Sequence, residues 1–504
     1  MSKSSRARCR GAALALCLAS IAFLSEGLVA AAYGHGFGQR YDLPIPLSFY
    51  VFGAGAAVAL SFVIAAIFLH GAEGLQSSPQ IAILRSVASR RWVHRVSVMV
   101  SAAAAAYFVL MIAAGLWGTQ SPLRNIIVVS VWIAGWVGIS LCSALIGDVW
   151  RVLNPWITFF DAAERMHAWV RPTRSLSLTL PYPRALDVWP ALFLFIGFAW
   201  MELIWAGRDV PARLANAILL YSTITFLGMF IFGSKVWCQR AEVFTIVFGI
   251  FARFAPLASA EDSSKEAVLR FPALGLVEER ATSWAMMLLV IALLATVTFD
   301  GILETPLWAY VDTAIIDSPD DSLLWTFFGF SEAGALRFGR TIGLLAFVAL
   351  FSVAYLLTCK VMAVTAGAND RTGELARRFV FSLLPISIAY HVAHYFSYLF
   401  NGGQLIIPLL SDPFGYGWDL LGTATYRPRI DFVGPLLQWY VAVGAIVVGH
   451  VIAIYIAHIK ALSMFENRRE GLRSQIPIVM LMVGYTMLSL WILSQPIVET
   501  SPAG

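Results

Sequence analysis

A chain of 504 residues that is 59% hydrophobic and only 13% charged is no ordinary soluble domain, which carries about 25% charged residues. The formal net charge of +5 is not a nucleic-acid signal. Lys3, Arg6, Arg8 and Arg10 against Glu26 account for +3 of it, inside a leader. With a mean hydropathy of +0.75 and apolar runs of about 20 residues recurring from end to end, the composition predicts an all-α polytopic membrane helix bundle. Its partner is the lipid bilayer, with no nucleic acid.

The N-terminus reads as a signal peptide over 1–32. Basic residues precede the apolar run Gly11–Leu24, and the small residues of LVAAAY follow. Cleavage before Tyr33 would leave a single integral-membrane helical domain, 33–504. It would also leave His35 third from a free amine, an arrangement able to offer nitrogen ligands to Cu(II) or Ni(II); a mobile tail is the simpler reading. Ten transmembrane helices are expected near 46–69, 96–116, 126–146, 188–205, 214–233, 283–299, 341–361, 379–400, 435–459 and 476–496. The apolar segment 241–252 covers only roughly 18 Å at 1.5 Å per residue. It is therefore expected to be one short interfacial or re-entrant helix.

With ten spans, the loops at 70–95, 147–187, 234–282, 360–378 and 460–475 share one side. They hold 23 of the 35 Lys and Arg, against 8 on the opposite side. The positive-inside rule then predicts that the mature N- and C-termini lie on the external side. External loops are expected near 300–340, rich in acidic residues, and 401–434, rich in Gly, Pro and aromatics. The latter suits a lid or docking face. In the first large inner loop, Asp148, Arg151 and Asn154 read as an interfacial anchor. Gly135, Gly138, Gly343, Gly444 and Gly449 read as helix-packing positions. Cys9, Cys17, Cys142, Cys238 and Cys359 show no metal or disulfide spacing.

Chemistry concentrates in SIAYHVAHYFSYLFNGGQ, Ser387–Gln404. His391 and His394 are three apart and share a helix face, with Tyr395 and Tyr398 extending the stripe. Imidazoles in a membrane helix must be paired, wet or bound. They can hold a divalent transition metal, move protons, or simply bond neighbouring helices. Glu202, in FAWMELIW, is the carboxylate placed well inside a span. It is a candidate ligand or general base, or a partner for Arg208. Asp300, in TVTFDGILE, is a candidate ligand or a helix terminator beside Glu304. His450 is a third candidate metal ligand, though it is expected deeper than His394, about 22 Å against about 9 Å from the outer helix end. His458 is expected at the inner interface. Two histidine-bearing neighbours also raise haem ligation as a lesser alternative. There is no Walker loop, GxSxG elbow or dinucleotide fingerprint.

HGFGQRYDLPIPLSFYVFGAGAAVALSF, FDGILETPLW, AHYFSYLFNGGQ and SDPFGYGWDLLGT together give the chain its family likeness. Over about 33–460 it resembles bacterial multipass membrane proteins of the fenitrothion hydrolase (organophosphate hydrolase) family. The resemblance implies hydrolysis of a lipophilic small-molecule phosphotriester at its P–O-aryl bond, a second membrane subunit, and a place in the bacterial inner (cytoplasmic) membrane, where the external side that holds the mature termini is periplasmic. A water activated by a metal on His391 and His394, with Glu202 or Asp300, would suit that reaction. Two other classes remain open: a transporter or permease, and a haem- or copper-binding partner subunit.

Overall fold

The computed structural model describes residues 45–68, 81–82, 87–259, 267–277, 281–317, 331–429, 432–465 and 467–495. The leader, His35, Asp320, Asp321 and Asp431 lie outside these ranges. Among the described residues ten helices are long and apolar enough to cross a membrane, each matching one of the expected spans. The chain is an all-α multipass membrane protein.

The helices, in order, are α1 (Leu47–Phe68), α2 (Val87–Trp117), α3 (Ile126–Leu145), α4 (Pro155–Val170), α5 (Trp189–Leu203) and α6 (Pro211–Phe232). There follow α7 (Val243–Ala252), α8 (Trp284–Leu303), α9 (Pro306–Ile316), α10 (Glu332–Thr365), α11 (Leu384–Ser397), α12 (Pro435–Met464) and α13 (Arg468–Ser494). Helices α1, α10, α12 and α13 pack together on one flank, and α2 to α7 on the other. Between the flanks run α8 and α11, the most buried of the spans. Along α8, Leu289 to Phe299 are all buried, so apolar residues surround it entirely. That all-round pattern marks a central helix rather than a lipid-facing one.

The short segment 241–252 is too short to span, as expected, and of the two placements left open, interfacial or re-entrant, its burial fits the re-entrant one. Helix α7 is inside the bundle, with Val243, Ile246, Val247, Phe248, Ile250 and Phe251 all buried. A helix N-terminus in such a place leaves unmet amide donors, and Glu242 supplies the acceptor. Its carboxylate takes the amides of Phe244 (3.0 Å) and Thr245 (2.7 Å), the Thr245 hydroxyl and the Tyr221 hydroxyl at 2.5 Å. Asn154 also points inward. It caps α4 through Ile157 and donates to Thr245 at 3.1 Å, so it is no surface anchor. Arg151 and Asp148 keep the expected turn, the Arg151 amide donating to Asp148 at 3.2 Å.

Residues Val129–Gly138 of α3 form a π-helix, an element usually found in single turns at functional sites. Gly135 makes the wide turn fit, since a Cβ there would meet the Ser130 carbonyl at 2.8 Å. The other expected packing glycines divide. A Cβ at Gly449 would lie 2.4 Å from Ala389, and one at Gly343 2.3 Å from Trp308. Gly444, in contrast, has open space around it.

Three short antiparallel strands tie the basic loops together in the order β1 (Ile81–Ala82), β3 (Ala267–Leu269), β2 (Leu257–Ser259). On the other face, the 401–434 loop folds onto the turn between α2 and α3. Thr119 donates to Phe414 (2.8 Å), Ile126 to Pro413 (3.2 Å), and Tyr416 to Trp117 (2.5 Å). Gly415 permits the approach: its φ is +71° and a Cβ would strike Thr119. In the 300–340 region Asp312 accepts from Arg340 at 2.6 Å and from Trp308 at 3.1 Å.

Candidate functional site

Four of the residues singled out in the sequence meet where α5, α8 and α11 converge. Asp300 does not end its helix; α8 continues to Leu303 because the carboxylate is satisfied sideways. Its Oδ2 lies 2.8 Å from His394 Nε2 and accepts the Tyr395 hydroxyl at 2.8 Å. The same hydroxyl lies 3.3 Å from Glu202 Oε1. Tyr395 thus bridges two carboxylates that come from helices 95 and 193 residues earlier in the chain. Arg208 does approach Glu202, but on the backbone, its Nη1 donating to the carbonyl at 2.6 Å.

His391 occupies the next turn inward and is 3% exposed. Trp136, Phe251 and Tyr395 surround its ring, with centroids 5.3, 5.8 and 4.7 Å away. Its Nε2 is buried without a protein hydrogen-bond partner. With Trp136, Glu202, Leu203, Phe251, Leu293, Thr296, Val297 and Tyr395 it lines a cavity of about 10 Å³, the room one water needs. An orphaned buried imidazole costs roughly 1–3 kcal/mol, and the cavity beside it, apolar for the most part but with Glu202, Thr296 and Tyr395 in its wall, gives a water polar partners.

His450 is not brought to this place. Its Nδ1 is 2.8 Å from the Ile446 carbonyl and its ring lies 5.9 Å from Tyr485. Tyr485 shares a 2.5 Å hydrogen bond with Thr298, and Tyr390 stands between Tyr485 and His394. His458 is buried and meets Gln475 at 2.8 Å. Among the described residues, no group of three or more His, Cys, Asp or Glu side chains is arranged to hold a metal ion. His394 Nε2 is engaged by Asp300, which would leave its Nδ1 as the nitrogen to meet a metal.

Two features escaped the sequence. Tyr395 was visible only as part of a stripe, and nothing local marks it as a bridge. Glu242 stood at the edge of an apolar segment; a carboxylate just before a short helix is an N-cap signal, but its burial is a tertiary fact. Between Glu242 and His391 lies a layer of rings. Trp150, Trp156, Phe198, Phe244 and Phe248 pack on one another and on Trp136. On the far side of the layer, Asn154 is in the wall of a second, larger cavity of about 970 Å³ that also takes in Arg151, Arg165 and Arg174. Set against known proteins, the chain matches no family model, no curated protein and no solved structure.

Proposed function

We propose that this chain is a membrane-embedded hydrolase, or the hydrolytic subunit of a two-subunit assembly, that cleaves the P–O-aryl bond of lipophilic organophosphorus triesters such as fenitrothion. The observation that carries the reading is His391 Nε2, buried and unpartnered, on a water-sized cavity beside Glu202 and Tyr395. A water there is held for attack. Its oxygen forms the new bond to phosphorus as the aryloxy bond breaks. Its proton passes to His391, and nitrophenolate leaves with the electron pair. The paired Asp300 and His394 hold Tyr395 in place and stabilise charge that develops near it. The cavity admits the nucleophile but not the ester, so α5 and α11 separate at the outer edge when substrate enters from the bilayer. The basic loops support placing both termini outside the cytoplasm.

The test is nitrophenol release from membranes carrying the chain with and without chelator, first alone and then with its neighbouring membrane subunit. His391→Ala, inserted normally, abolishes release; wild-type turnover in that variant ends the proposal. A second reading is favoured by one arrangement: a water-sized cavity and a large vestibule stand on opposite sides of an aromatic layer. That is the layout of a gated permease. Accumulation of a solute in sealed vesicles, without hydrolysis, would choose it instead.

A further inference from the structure

The larger cavity lies between α2, α4 and the segment 171–176, at the end of the bundle where the basic loops gather. Its wall has two kinds of surface. Four residues on one face of α2 line it, His94, Val98, Ser101 and Ala102, and this helix is the least buried of the spans. Val98 and Met99 are exposed to the side, so the cavity is continuous with the surface that faces lipid. At the rim of α4, Met166, Trp169 and Val170 are exposed, Trp169 by 88%. Aromatic and apolar side chains at such a level are interfacial anchors.

The polar wall carries both signs. Arg165 and Arg174 stand with Asp161 and Glu164, and Arg151 lies further in, beside Asn154. Arg165 Nε is turned to the Asp161 carbonyl at 3.1 Å, and Glu164 accepts from Ser175 at 3.4 Å. Neither pair of opposite charges forms an ion pair among the described residues. Guanidinium groups are matched to phosphate oxygens, and the nearby carboxylates to an ammonium. An anionic headgroup would meet the two carboxylates with nothing to offer them. We propose that this vestibule holds the headgroup of a zwitterionic phospholipid, its phosphate on Arg165 and Arg174, its ammonium on Asp161 and Glu164, and its acyl chains along α2.

The full chain, purified in mild detergent and exposed to vesicles of equal phosphatidylethanolamine and phosphatidylglycerol, is analysed by native mass spectrometry. Wild type retains phosphatidylethanolamine in preference. Arg165→Gln with Arg174→Gln lowers the retained lipid about ten-fold or more, since two charge-assisted contacts are lost. Asp161→Asn with Glu164→Gln keeps the arginines and shifts the preference to phosphatidylglycerol, a change that misfolding does not produce. Equal retention by wild type and both double variants overturns the proposal, as does preference for phosphatidylglycerol in the wild type. So does thermal stabilisation by inorganic phosphate with no co-purifying lipid, which would assign the arginines to a soluble phosphate compound.

Discussion

Asp300 accepts from His394 and Tyr395 on consecutive positions of one helix, so a single substitution tests both contacts. Asp300→Asn keeps the volume but offers His394 and Tyr395 an amide in place of the carboxylate. We expect normal insertion, a stability loss of about 1–3 kcal/mol in thermal unfolding in detergent, and loss of hydrolysis. An unchanged melting temperature would mean the pair contributes nothing to the seam. Much of this site was legible beforehand. His391 and His394 showed themselves because imidazoles are rare in apolar runs, and Glu202 and Asp300 for the same reason. What the sequence could not carry was pairing. Asp300 finds His394 across 94 positions and Tyr395 finds Glu202 across 193, and helix periodicity says nothing about which helices become neighbours. His450 shows the converse: it has the right residue type, but its ring faces Tyr485.

At the scale of an element, α7 depends on its cap. Glu242→Ala strips acceptors from two part-buried amides and a phenol, and costs about 1–2 kcal/mol for the cap alone. Glu242→Gln keeps one carbonyl oxygen and costs less. Hydrogen exchange of residues 243–252 ranks the two, and equal protection in both variants would contradict the capping role. The 411–424 loop is governed by a charge instead. The Ser411 hydroxyl (2.6 Å) and the Ala424 amide (3.0 Å) donate to Asp419 and hold its carboxyl below the usual carboxylate range. A depressed folded value means that the stabilisation is fully present above the ordinary Asp value of about 3.9 and is lost as pH falls through the lower, folded one. Protection of 411–424, corrected for intrinsic exchange, is therefore expected to fall in that acid range. In Asp419→Asn it is low throughout and flat with pH.

Across the whole molecule the spans were read well because apolar length decides whether a segment can cross, and no tertiary knowledge is needed for that. The location of α7 was not so readable, since an apolar helix of 10 residues fits an interface and an interior equally. The packing of α12 on the central helix α11 rests on close approach at Gly449. Gly449→Leu forces α12 away from Ala389 and Pro385. We expect a loss of about 1–3 kcal/mol together with lowered hydrolysis, because α11 carries both site histidines. Sidedness is checked by impermeant maleimide on a cysteine-free background. Thr423→Cys is expected to label from outside intact cells, and Ser175→Cys only after lysis.

The packed rings between Glu242 and His391 have an electrical meaning. A layer of Trp and Phe offers an ion almost nothing to replace its hydration, so moving charge through it would carry much of the cost of entering hydrocarbon. The two polar regions are near one another in space and yet, for an ion, far apart in energy.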